Sequence, residues 1–251
     1  TGGGGGGARE NNGGNGGSGI VIIRYKYKLQ PTPIDIDYKY LAFPYVPAYP
    51  KLAADSTNLK AHYKFDGDYN DSSGNGNHLT TTNTTYEPGL IEEAIYVDSS
   101  TDNVKTVSNF AGLDMTTKRS ISCWVKRQNT SEFRNFIFAQ TSSSIRIGGT
   151  FTTTGKVKIY AGSSETTYGS SETTSTITYT DTNVWVHLVF IFNQGVMKVY
   201  GNNDEIISST YSSLNVADSP FFIGKESDSG YSTNTIIDDF RIYDKALSQE
   251  E

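Results

Sequence analysis

From Leu59 onward, apolar and polar residues alternate in short runs. Ser120 to Lys126, Lys156-Val157-Lys158-Ile159-Tyr160 and Thr176-Ile177-Thr178-Tyr179-Thr180 all show it. A period of two belongs to a strand with one covered face. Asn183 to Phe192, the turn Asn193-Gln194-Gly195 and then Val196 to Tyr200 predict a hairpin, with Gly195 supplying a positive φ. A second turn is expected at Gly201-Asn202-Asn203-Asp204. Helical patterning is confined to the tail, Ala246 to Glu250. A run of about two hundred residues made of short strands predicts an all-β domain of two packed antiparallel sheets over residues 58–251.

Two arms precede that domain. Residues 1–27 are glycine-dominated, unbroken from Gly2 to Gly7, and close on the strand-like run Ile20 to Tyr27. Glycine cannot build a side-chain core, so the tract reads as a flexible tether or as a lattice of extended glycine helices ending an upstream domain. Residues 28–57 carry Pro31, Pro33, Pro44, Pro47 and Pro50. Proline fixes φ and removes a donor, which predicts an extended connector, with docking of Phe43 to Pro50 on a partner groove as the alternative. The chain begins at Thr1, which points to an upstream region and leaves targeting open.

Composition narrows the function. The 17 Tyr and 12 Phe suit strands, and a net charge of -6 without a Lys/Arg cluster offers nothing to a nucleic-acid backbone or an anionic membrane. No apolar run reaches the ~20 residues of a membrane span. Cys123 is the lone cysteine, in the apolar run Ile121 to Val125, so it is expected to be a buried, inert thiol.

The densest polar chemistry lies in Ala61-His62-Tyr63-Lys64-Phe65-Asp66-Gly67-Asp68-Tyr69-Asn70-Asp71-Ser72-Ser73-Gly74-Asn75-Gly76-Asn77-His78. Together with Tyr86 to Asp98 and Ile236-Ile237-Asp238-Asp239-Phe240-Arg241-Ile242-Tyr243, it resembles the opening and closing strands of laminin G-like domains, within the concanavalin A-like lectin/glucanase jelly-roll superfamily. The Trp185-Val186-His187 strand start fits the same resemblance. Likewise, the glycine tract closing on Gly-Ser-Gly-Ile-Val-Ile-Ile-Arg-Tyr resembles the ends of glycine-rich repeats in phage and large-virus tail or fibre proteins.

The resemblance implies a structural Ca2+ between an early strand and the last one. Asp66 and Asp238 or Asp239 would be its carboxylates, with Asp71 and Asp98 as second choices. The alternative is that these aspartates form Asx-turns and solvated strand ends. An EF-hand fails, because counting from Asp66 places Asp71 at the glycine position and Asn77 at the glutamate position.

Catalysis finds little footing. The glucanase signature Glu-x-Asp-x-x-Glu is missing from the sequence, and neighbours such as Glu92-Glu93 and Asp238-Asp239 should point to opposite faces of a strand. His62, His78 and His187 are read as structural. The expectation is a non-enzymatic binding module of a virion fibre or appendage, on the virion surface or extracellular. Its expected partners are a glycan or host-surface receptor and other virion proteins, with homo-oligomerisation through upstream regions. A purely structural particle component and a bacterial surface adhesin are the alternatives. Tyr168, Tyr211 and Tyr231, in Ser/Thr/Gly-rich stretches, are the expected sugar-stacking rings.

Overall fold

The computed structural model describes residues 58–107, 118–129, 135–141, 145–163, 171–211, 219–228 and 234–249. Both N-terminal arms, Tyr168 and Tyr231 lie outside them. The described residues hold fifteen strands and no helix. The first seven are β1 (Leu59–Tyr63), β2 (Leu79–Thr82), β3 (Thr85–Pro88), β4 (Glu93–Val97), β5 (Asn103–Thr106), β6 (Lys118–Arg127) and β7 (Asn135–Thr141). Then come β8 (Ile145–Phe151), β9 (Lys156–Ser163), β10 (Ser171–Thr178) and β11 (Trp185–Asn193). The last are β12 (Val196–Gly201), β13 (Asp204–Thr210), β14 (Phe221–Ile223) and β15 (Thr235–Tyr243). Sheet A runs β13-β12-β11-β6-β15-β4-β3, with β1 also paired to β15, and sheet B runs β10-β9-β8-β7-β14-β5-β2. The pairs are antiparallel throughout, giving the expected all-β sandwich.

Alternation decides which side chains enter the core. Ile121, Cys123 and Val125 of β6 and Val186, Leu188, Phe190 and Phe192 of β11 point inward from sheet A. They meet Phe138, Ile147, Val157, Ile159 and Phe221 of sheet B. Phe138 stands edge-on to Phe190, with centroids 5.0 Å apart, and stacks on Phe221 at 5.6 Å. Each such side chain contributes roughly 1.5–3 kcal/mol of hydrophobic stabilisation when fully buried. The sheets approach closely at Gly149, where an added Cβ would sit 2.6 Å from the Phe190 ring. Cys123 is fully buried, and burial pushes its thiol pKa far up, as its sequence context predicts.

Two hairpins frame sheet A as expected. Gln194 (φ 47°) and Gly195 (φ 90°) turn β11 into β12, and Asn202 (φ 50°) and Asn203 (φ 75°) turn β12 into β13. Positive φ at both central residues matches the strand twist, and asparagine tolerates it nearly as glycine does. The tail from Asp244 to Gln249 is irregular where a helical pattern had been expected. Its backbone is tied to the sheet instead: Ser120 Oγ donates to the Lys245 carbonyl (2.8 Å) and accepts from Leu247 N (2.9 Å).

Candidate functional site on the outer face of sheet A

The opening loop spends its polar groups on itself. The buried Asp71 carboxylate accepts from the amides of His62 (2.9 Å), Ser73 (2.9 Å) and Asn77 (3.0 Å). Although burial disfavours its charged form, these hydrogen bonds hold its pKa below the usual carboxylate range. Asp68 accepts from Asn70 N, closing an Asx-turn, and Asn77 Nδ2 donates to the Lys60 carbonyl at 2.7 Å. Tyr63 donates to the Asn77 carbonyl at 2.6 Å, which stitches the loop onto β1.

The five aspartates expected around calcium each have hydrogen-bond or charged neighbours of their own. Asp66 Oδ1 accepts from Glu93 N (3.3 Å), the first residue of β4, and Asp238 Oδ2 accepts from Leu90 N (2.7 Å) and Ile91 N (3.0 Å), just before it. Asp71 is committed to its loop. Asp98 lies beside Asp102, which caps the amides of Asp98 and Ser99. Asp239 binds His62 Nε2 (2.7 Å) and Arg241 (2.9 Å). Among the described residues no three His, Cys, Asp or Glu side chains are grouped to hold a metal ion. Calcium takes six to eight oxygens, backbone carbonyls and waters included.

The sheet's outward residues do assemble. With Cys123, Val186 and Leu188 fixed inward, alternation turns Ser122, Trp124 and Lys126 of β6 outward beside Val189, His187 and Trp185 of β11. Trp124 and His187 are cross-strand partners with rings 4.8 Å apart, and Lys126 Nζ lies 4.8 Å over Trp185. Both tryptophans are half-buried. His187 Nε2 shares a hydrogen bond of 3.0 Å with Ser122 Oγ, and burial lowers the histidine pKa, so the ring is neutral at pH 7.

A bulge in β15 brings Asp239 to this face. The register against β6 slips between Asp238 and Arg241, and Asp239 takes φ 47°. The expected opposition of Asp238 and Asp239 therefore fails, and Asp239 meets His62 and Arg241 across the β1–β15 pair. Burial opposes its charge, but the His62 hydrogen bond and the Arg241 charge hold its pKa below the usual range. Committed in this way, Asp239 does not orient His187, so the Ser122–His187 pair lacks the carboxylate of a nucleophilic triad.

The tyrosine expectation needs correcting at Tyr211. Its ring is 9% exposed, packs inside the core and stands edge-on to Phe192 at 6.0 Å. A core ring offers no face to a sugar. The sequence signal for the tryptophans was the same alternation that placed the core, read for its other half.

A laminin G family model, described as the concanavalin A-like lectin/glucanases superfamily, matches residues 98–251. The chain belongs to this family. Strands β1 to β4 precede the matched range, yet β1 and β4 hydrogen-bond to β15, so they are part of the same sandwich. Among solved structures, the chain is similar to domain 4 of AbnA, a GH43 extracellular arabinanase from Geobacillus stearothermophilus, in complex with arabinotriose. The identity is 26% and the TM-score 0.60, over 77% of this chain and 95% of that one. The binding domain of Paraclostridial Mosquitocidal Protein 1 aligns at 18% identity and TM-score 0.61, over 78% of this chain and 51% of that one. A structure of botulinum neurotoxin type C, whose cell entry depends on interaction with two ganglioside molecules, aligns at 17% identity and TM-score 0.59, over 78% and 50%. The chain spans about half of each toxin structure, and these two likenesses show the fold alone. No curated protein sequence matches the chain.

Proposed function

We propose that residues 58–251 form a non-catalytic carbohydrate-binding module, and that the outer face of sheet A around Trp124, Trp185 and His187 is its sugar platform. One observation carries the reading: the chain's two tryptophans stand half-buried on adjacent strands of one sheet face, beside His187, Ser122 and Lys126. An amphipathic ring meets the apolar face of a sugar, while His187 and its neighbours meet hydroxyls. The arabinotriose complex of the arabinanase domain supports the ligand class.

The wider setting we propose is an extracellular or virion-surface protein, with the glycine-rich segment 1–27 and the proline-rich segment 28–57 as the lead-in from upstream domains of a fibre or appendage. A bacterial surface adhesin would use the same module. A glycan array probed with the whole chain and with Trp124→Ala tests the function. Reproducible binding to one glycan class, lost in the variant, is the expected result. A blank array from folded protein would end the reading and leave a structural role.

A further inference from the structure

The platform does not end at the tryptophans. The outward residues of β11 run Trp185, His187, Val189, Ile191, Asn193, a line of roughly 27 Å at about 3.4 Å per residue, with Ile191 covered by Leu247 so that the tail itself forms the surface there. At its far end a groove of about 420 Å³ lies between β12 and the C-terminal tail. Ile191, Val196 and Leu247 give it an apolar floor, Tyr200 an aromatic wall, and Asn193 and Gln249 uncharged amides. Its walls are set by the fold: Leu247 is 8% exposed and packs with Ile191 and Tyr243, Ser120 holds the tail backbone, and Gln249 Nε2 donates to the Asn203 carbonyl at 3.1 Å. A recess of this volume, lined by apolar, aromatic and amide side chains together with Lys198, falls in the size range of a small-ligand subsite.

Charge selects the ligand class. On this face Lys198 is paired with Glu205 at 2.7 Å, Arg241 with Asp239 at 2.9 Å and Lys60 with Asp244 at 2.7 Å, while Lys126 is placed over Trp185. A sulfate or carboxylate on a ligand would meet three cations that already carry carboxylate partners alongside, on a chain of net charge -6. Hydroxyls, by contrast, meet amides that carry no charge to desolvate.

We infer that the ligand is an electroneutral oligosaccharide lying along β11, stacked on the tryptophans at one end and seated at the other in the groove beneath the tail. This rests on the carbohydrate reading above and adds its length and charge. The test is calorimetric titration of the whole chain with arabino-, xylo-, manno- and gluco-oligosaccharides of three and six units, and with a sulfated heparin hexasaccharide. One neutral series should bind, its hexamer at least tenfold tighter than its trimer, and Tyr200→Ala and Gln249→Ala should each bring that ratio toward one. Gln249→Ala removes a surface amide and keeps the test usable if the tyrosine variant fails to fold. Equal affinity for trimer and hexamer, or a ratio untouched by both groove variants, overturns the inference while leaving the tryptophan platform in place. Tightest binding of the sulfated hexasaccharide overturns the neutral ligand, and silence from every saccharide overturns the platform along with the groove.

Discussion

The opening loop and the outer face of sheet A both carry polar side chains and put them to opposite uses. In the loop, Asp71 satisfies three backbone amides and Asn77 a carbonyl, so residues that look like ligands in the sequence are the scaffold of a turn. On the sheet the backbone is already paired by neighbouring strands, which frees Trp124, Trp185 and His187 to project. Buried polar groups are consumed wherever the backbone lacks a ladder. Polar density in a sequence therefore marks irregular backbone as readily as it marks a site.

The largest effect expected from breaking this contrast is at Asp71. Replacing it with Ala strands three amides, and should cost about 3–4 kcal/mol in urea unfolding. Because its pKa is held low in the folded state, the stability it supplies is present above the usual carboxylate range and is lost as pH falls through about 4 and below. A loss under 1 kcal/mol would show the loop to be ornamental.

Asp238 has the opposite sign. It is 1% exposed, its Oδ1 has no hydrogen-bond partner, and burial pushes its pKa up to about 6 against the Leu90 and Ile91 amides that favour its charge. The folded state thus holds a proton that the unfolded chain releases, and stability declines as pH rises from about 4 to about 6, by up to about 3 kcal/mol. Asp238→Asn keeps an acceptor for both amides and should flatten that window in chelator-treated protein. An unchanged slope would place the titration elsewhere. Repeating the wild-type melt with calcium tests the ion expected at Asp66 and Asp238, and identical curves would end it.

Trp124→Ala should lose at least tenfold in saccharide affinity while costing about 1–2 kcal/mol in stability, since a half-buried ring gives up its contact with His187. Equal losses in both would make Trp124 a packing residue. The smallest effect is expected at Tyr211→Phe, which keeps the buried ring and should leave saccharide affinity within twofold. A larger drop would restore Tyr211 to the site.

The alternation of β6, β9 and β11, the turn residues Gln194-Gly195 and Asn202-Asn203, and the closing run Ile236 to Tyr243 were enough to predict a two-sheet antiparallel sandwich, because strand period and turn chemistry are local. The buried, inert Cys123 followed from the same local pattern. What the sequence could not determine was which half of an alternating strand would be covered by the second sheet and which left to solvent, and hence that Trp124 and Trp185 face out together while Tyr211 turns in. Nor could it show that a one-residue slip between Asp238 and Arg241 carries Asp239 to His62, 177 residues away. Strand order, register and bulges depend on contacts between distant segments, and only the folded sheets bring those segments together.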